Sequence, residues 1–340
     1  MNLSNFISSA SPSDIEIEQG ILGVGIHTSV LSFNEAFIQD GKCFLDDFIA
    51  ENSNVKKWML SSDYAFYGQN KKNDVVTFSL FPHLVNFKRM VECIELMAPT
   101  DIKHARTVSD EFISFLKEGP VFNISIILER GRRMYSDEVG YFSYRLESMI
   151  LYFKNLCELY PENKEYYESR LLKIKQAKNT LNNKSTNLKL FRDIEIVASL
   201  AAYILAEVRF TANPEIITWL SDRDSMLTYR NKSIGDFMFE CVNDIYNMFC
   251  LSNMVEPYGR TAFVKPEVEG ELFYDSLVRV PDYIAGALSD FDFETQKTTH
   301  AKFEKIRNGT FHEEKRNLSY ELFFHPKFEA QRIKWGPELE

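Results

Sequence analysis

The sequence lacks most of the frameworks that make a functional site easy to read. Its five cysteines (Cys43, Cys93, Cys157, Cys241 and Cys250) are odd in number, widely spaced and without a Cys-x-x-Cys pair. That argues against a disulfide framework and a structural zinc site, and it fits a reducing cytoplasm. His27, His83 and His104 show neither the His-Glu-x-x-His spacing nor a paired one, and lone histidines are more often hydrogen-bonded structural residues. There is no Gly-x-Ser-x-Gly elbow and no protein-kinase signature. Positive charge is short as well, with 39 Lys and Arg against 49 Asp and Glu and a formal net charge of −10. Long-range electrostatics therefore give no general attraction to nucleic acid or to an anionic membrane, and a nucleic-acid site would have to be a local basic patch. The longest apolar run, "IVASLAAYILAEV" at 196–208, falls short of the roughly 20 residues that span a bilayer and reads as a core helix. The start, "MNLSNFISSASPSD", has neither a positive n-region nor an apolar h-region, so no secretory signal and no membrane are expected.

What is present is apolar material for a large core: 45% of the 340 residues are hydrophobic and 14% aromatic, enough for one elaborated domain or two. Residues 1–54 read as a polar leader running into a helix with Leu31, Phe33, Phe37, Phe44, Leu45 and Phe48 on its apolar face. "GILGVGIH" follows no strand and fits no phosphate-binding fingerprint, so it reads as a plain turn. Between 55 and 132 come "VKKWMLSSDYAF" and "DVVTFSLFP", a hairpin signal joined by the polar "YGQNKKND". Two helices follow, the second with a Ser109 cap and a Gly119 stop, and then a buried strand in "VFNISIILER". Residues 133–210 keep helical period, broken at "LYPEN" and "NTLNNKSTN", and form a helical insertion. From 211 to 295 a strand in "EIITWLSDRD" is followed by a helix, and "SLVRVPDYIAGALSDF" reads as a short strand entering a helix that opens at Pro281. Residues 296–340 read as an irregular, polar C-terminal segment.

Three strand-like runs end at or feed into an aspartate: "WMLSSD" at Asp63, "IITWLSD" at Asp222 with Asp224 just beyond, and "RVPD" at Asp282. A buried carboxylate costs free energy unless it is paired, hydrogen-bonded or bound to a metal. Acids that converge at strand ends are therefore partnered by arginines or are ligands for a hard cation. Magnesium suits the second case, being held by one or two carboxylates plus substrate phosphates, and two such ions can clamp the attacking and leaving oxygens of a phosphodiester. Taken singly, each aspartate is explained more simply as a helix cap. Their recurrence at three strand exits tips the balance.

The order of these segments resembles the ribonuclease-H-like superfamily. Within it, the chain is similar to the uncharacterised bacterial and phage family that opens with an Asp-Glu-Ser-Gly strand and closes with an Ala-Asp-x-x-Ala-Gly helix. Asp282, Ala285 and Gly286 in "PDYIAG" match the closing motif. Of the opening motif only Asp63 carries over, because Tyr64, Ala65 and Phe66 stand where the family has Glu-Ser-Gly. "TDIKH" echoes the family's acid-x-Lys element and would bring Asp101 or Lys103 near the site. The likeness covers roughly residues 56–290, in pieces.

The resemblance implies an α/β fold with a mixed central sheet flanked by helices and a large helical insertion. It also implies a cytoplasmic, Mg²⁺- or Mn²⁺-dependent nuclease, with a role in defence against phage or in mobile elements suggested by association with the family. Asp63, Asp222 and Asp282 are the expected metal ligands, with Asp224 and Asp101 as substitutes. Lys103, Arg130, Arg133 and Arg223, together with Arg132, are candidates to contact the nucleic acid backbone. The acidic charge suits an enzyme that a protein partner targets or restrains. The alternative is a non-catalytic interaction or scaffold protein on a degenerate form of the same fold.

Overall fold

Strand β1 (Lys57–Ala65) and strand β2 (Asp74–Pro82) form the expected hairpin, pairing antiparallel from Trp58 opposite Pro82 to Ala65 opposite Val75. They lie at the centre of a computed structural model that describes residues 27–183, 185–229, 234–257, 260–267, 269–312 and 315–336. "GILGVGIH" falls outside these residues except for His27. Strand β3 (Phe122–Leu128) continues the meander on β2. On the other side of β1, strands β4 (Ile216–Ser221) and β5 (Thr261–Val264) add parallel to it. Beyond β3, strand β6 (Asn317–Phe323) pairs parallel and β7 (Glu329–Arg332) antiparallel. The result is one mixed seven-stranded sheet in the order β5-β4-β1-β2-β3-β6-β7.

Helices cover both faces. On one face lie α1 (Thr28–Asp40), α2 (Lys42–Glu51), α5 (Glu138–Leu159), α6 (Lys164–Leu181), α7 (Leu188–Ala212) and α8 (Phe237–Ser252), packed on Trp58, Leu60, Val76, Phe78, Ile124 and Ile126. The helical insertion is thus an integral layer of the core. On the opposite face lie α3 (Phe87–Met97), α4 (Asp110–Glu118), α9 (Asp275–Asp290) and α10 (Ala301–Phe311). Asn86 and Ser109 cap α3 and α4 by accepting from Lys88 N–H and Phe112 N–H.

Three expectations are corrected. Residues 28–51 form two helices, because the chain breaks at Gly41, where the Tyr320 hydroxyl fills the space a Cβ would need. Residues 296–340 are not irregular: they supply α10, β6 and β7, and the strands form there because β3 offers an unpaired edge. The segment before Pro281 is no strand either. Helix α9 begins at Asp275 and carries Pro281 inside it.

The face beneath α9 is lined by small polar residues. The register places Ser61, Ser79, Asn123 and Asn317 in one row across β1, β2, β3 and β6, and Asp63, Thr77, Ser125 and Ser319 in the next. All are buried, and they bond to one another: Thr77 Oγ1 to Ser125 Oγ at 3.0 Å, Ser79 Oγ to Asn123 Oδ1 at 2.5 Å, Asn123 Nδ2 to Asn317 Oδ1 at 2.8 Å. Such side chains let a helix approach closely, and α9 uses the opportunity. Pro281 has no N–H to give to the carbonyl one turn back, that of Leu277. Ser61 Oγ donates to that carbonyl at 2.9 Å instead, locking the helix to β1 two residues before Asp63. Ser61→Ala is expected to cost about 1–3 kcal/mol by orphaning the Leu277 carbonyl. The cost should shrink in a Pro281→Ala background, which restores the N–H, and equal costs in a urea-unfolding double-mutant cycle would contradict the lock.

Candidate functional site

The parallel pairing of β1 with β4 ends at Ser62 opposite Ser221, and Asp222 N–H donates to Ser62 C=O at 3.1 Å. The next residue on each strand is an aspartate, so Asp63 and Asp222 stand side by side on strands about 4.8 Å apart. Alternation turns Ser62 and Ser221 to the opposite face, where the Tyr64 hydroxyl bonds both of their Oγ atoms at 2.7 and 2.8 Å. Asp63 lies in the row beneath α9, two residues before the end of β1 and not at it, and Asp222 interacts with it there.

Helix α9 brings the third acid. Asp282 accepts through Oδ2 from Ile102 N–H at 3.0 Å, so the turn after α3 is held directly against it. That turn is fastened to the same helix by Tyr283 Oη to Thr100 C=O at 2.8 Å and Arg279 Nη1 to Ala98 C=O at 2.7 Å. Gly286, one turn beyond Asp282, is what allows the approach, since a Cβ there would lie 2.9 Å from Ile102 Cγ2. The spacing of Asp282 and Gly286 thus has a steric reason. At the head of the helix, Tyr274 Oη donates to Ser221 C=O at 3.1 Å, and Asp275 pairs with Arg279.

The three carboxyls act on one another. Burial, then the charges of Asp282 and Asp222, hold the Asp63 carboxyl far above the ordinary carboxylate range. Burial also raises Asp222, against the pull of the Arg223 backbone N–H and of its hydrogen bond with Asp63, so the two carboxyls are tied to one another. Burial, followed by the charges of Asp101 and Asp222, pushes Asp282 up to about 7 against the opposing pull of Ile102 N–H and Lys103. Asp63 is 8% exposed, whereas Asp222 and Asp282 are half-buried, so the cluster opens to solvent along one side.

The other candidates divide. Asp101 and Lys103 lie at the rim, paired with each other at 3.4 Å, and both act electrostatically on Asp282. Asp224 does not join the cluster; its Oδ1 accepts from Met226 N–H at 2.8 Å and from Ser225 Oγ, closing its own turn. Arg223 and Arg130 spend their guanidinium groups on backbone carbonyls. Arg223 ties down Glu267 and Gly270 at 2.7 and 2.5 Å, and Arg130 ties down Lys71 and Gly68 at 2.7 and 2.9 Å. Arg133 is exposed, and its carbonyl accepts from His325 N–H. Arg132 is corrected outright: it is 1% exposed and bonded to Asp74, Asp193 and Tyr67, where no phosphate can reach it. Sequence reasoning missed Ser61, Tyr274, Asp275 and Arg279. The Asp275–Arg279 spacing, one helical turn, was a usable signal.

As donors these carboxyls suit a hard divalent cation, being all oxygen and raised in pKa by burial and then by neighbouring carboxylates, both of which such a cation would offset. Among the described residues, however, no group of three His, Cys, Asp or Glu side chains closes into a ready metal shell. The fit is therefore to a pair, Asp63 with Asp222, with Asp282 alongside. Compared with models of known families, with curated proteins and with solved structures, the chain matches none.

An acid whose folded pKa is raised binds its proton more tightly in the native than in the unfolded state, so stability falls as pH rises from about 4 through the folded value. In cation-free buffer the thermal midpoint should decline between about pH 4 and 7, and Asp282→Asn should flatten that decline and raise the midpoint at pH 7. A midpoint indifferent to the substitution at pH 7 would contradict the coupling.

Proposed function

We propose that the protein is a divalent-cation-dependent nuclease on a ribonuclease-H-like sheet, with Asp63 and Asp222 as cation ligands and Asp282 beside them. The observation that carries the reading is the register of β1 on β4, which makes Asp63 and Asp222 neighbours, together with the Ser61 lock that sets Asp282 over them. The strand order β5-β4-β1-β2-β3, with β1 to β3 an antiparallel meander and β4 and β5 parallel to β1, supports the fold half of the proposal. The electrostatic contact of Asp101 and Lys103 with Asp282 agrees with the acid-x-Lys element of the family that the sequence resembles.

When bound, Mg²⁺ or Mn²⁺ would supply Lewis acidity and charge neutralisation for in-line attack of water on a phosphodiester. Asp63 and Asp222 would hold the cation as carboxylates, and because both are raised in pKa, activity should rise with pH as they ionise. Asp282 keeps Oδ2 on Ile102 N–H, and its remaining oxygen, Oδ1, is the atom placed to take or return a proton near neutral pH. Arg223 and Arg130 act as straps that fix the loops flanking the cleft. Lys103, at 70% side-chain exposure and held at the rim only by its 3.4 Å pair with Asp101, is the better candidate to meet a phosphate.

A second reading, a non-catalytic scaffold, has one observation in its favour: the side chains do not close a three-donor shell. Incubation with labelled single- and double-stranded DNA and RNA, with and without Mg²⁺ or Mn²⁺, separates the two. Cation-dependent cleavage is expected, with Asp63→Asn lowering it at least about 100-fold, since even outer-shell partners of a metal are worth 10–100-fold. Cleavage undiminished by Asp63→Asn would sink the site, and a wild type inert on every substrate would favour the scaffold.

A further inference from the structure

Helix α8 is apolar nearly all round, yet Glu240, Asn243, Asp244 and Asn247 form a polar stripe along one side at helical spacing. Half of that stripe is satisfied within the protein. Buried Arg170 on α6 pairs with Asp244, its Nη2 2.5 Å from Oδ2, and with Glu240, which also takes Lys173. The two amides are left over. Asn243 reaches only the Tyr166 hydroxyl, at 3.4 Å, and the half-buried Asn247 side chain has no hydrogen-bond partner among the described residues. Both line a cavity of about 440 Å³ between α5, α6 and α8, whose other walls include Tyr152, Phe153, Tyr166 and Tyr167.

We propose that this cavity is a binding site for an uncharged planar nitrogen heterocycle, a purine nucleobase or nucleoside. Its volume lies in the range of small-molecule sites, which are mostly apolar with a few placed polar groups. Tyr166, 49% exposed among otherwise buried aromatic walls, offers the ring face on which a base can stack. An Asn amide presents one donor and one acceptor side by side, the pattern that pairs with the edge of adenine. Charge selects against a nucleotide: Arg170 and Lys173 are neutralised by Asp244 and Glu240, and no Lys or Arg among the described residues lines the cavity to meet a phosphate. The site lies on the face of the sheet opposite the acid cluster, since Tyr152, Phe153 and Tyr167 belong to the core on the α5–α8 side and Asp63 faces α9. It therefore stands whether or not the protein is a nuclease.

Isothermal titration of the full chain with adenosine, guanosine, uridine and AMP tests it. A purine nucleoside should bind with a dissociation constant below about 1 mM, more tightly than AMP, and equally well in Asp63→Asn. Asn247→Leu should weaken binding by at least about tenfold. Tyr166→Ala, which removes a ring that is 49% exposed and so leaves the core untouched, should weaken it too. The proposal is overturned if neither purine nucleoside binds at about 1 mM, if AMP binds more tightly than adenosine, or if Tyr166→Ala binds as wild type does.

Discussion

Helix Asp275–Asp290 lies against the centre of the sheet through a hydrogen bond that an ordinary helix could not make. Pro281 leaves the Leu277 carbonyl free, and Ser61 on the central strand takes it up. A buried carbonyl must find a donor, so this pairing fixes where the helix stands along β1 as well as that it packs there. Asp282 follows Pro281 immediately, and Asp63 follows Ser61 by one full alternation of the strand. The distance between the two acids is thus set by a bond that neither of them makes. The same helix holds the turn at 98–102 through Arg279, Tyr283 and Asp282, and the exit of β4 through Tyr274.

The cost of the arrangement is electrostatic. Burial, and after it neighbouring carboxylates, disfavour charge on all three acids, so Asp63 and Asp222 are raised above the ordinary carboxylate range and Asp282 is lifted to about 7. The surrounding polar rows offer hydroxyls and amides but no cation, and Arg279 is occupied at the rim by Asp275 and Ala98. Elsewhere the chain treats buried acids differently. Asp74 and Asp193 meet Arg132, and Asp244 meets Arg170, in close ion pairs. An acid cluster left without such a cation, in a molecule that supplies a guanidinium to Asp74, Asp193 and Asp244 and a lysine to Asp290, is the contrast on which the functional reading turns.

The two faces of the sheet divide the labour. The broad face carries most of the aromatic core, the helical insertion and the amide-lined cavity. The narrow face carries small polar residues, α9 and the acids. Loops at the carboxyl ends of β1 and β4 are strapped to the framework by Arg130 and Arg223, which is why these basic residues, conspicuous in the sequence, serve the shape of the cleft.

Much of this was legible in the chain itself. Apolar runs bounded by turn residues marked the hairpin, β3 and β4, and caps at Ser109 and Gly119 bounded α4, because these signals act within a few residues. The aspartates at the ends of "WMLSSD" and "IITWLSD" and in "VPDYIAG" could be picked out, since a carboxylate beside buried apolar residues always needs an explanation. The rows "SSD", "TFS", "NIS" and "NLS" were there too, but their meaning depends on register, which only pairing decides. Residues 317–332 become strands because β3 is beside them, and Pro281 sits inside a helix because Ser61 repairs the bond it breaks. Arg132, charged and apparently free in the sequence, is buried because Asp74 and Asp193 arrive from distant segments to neutralise it. Local chemistry chose the elements and nominated the acids; the proximity of Asp63, Asp222 and Asp282, and with it the upward shift of all three carboxyls, exists only once the sheet and α9 have closed.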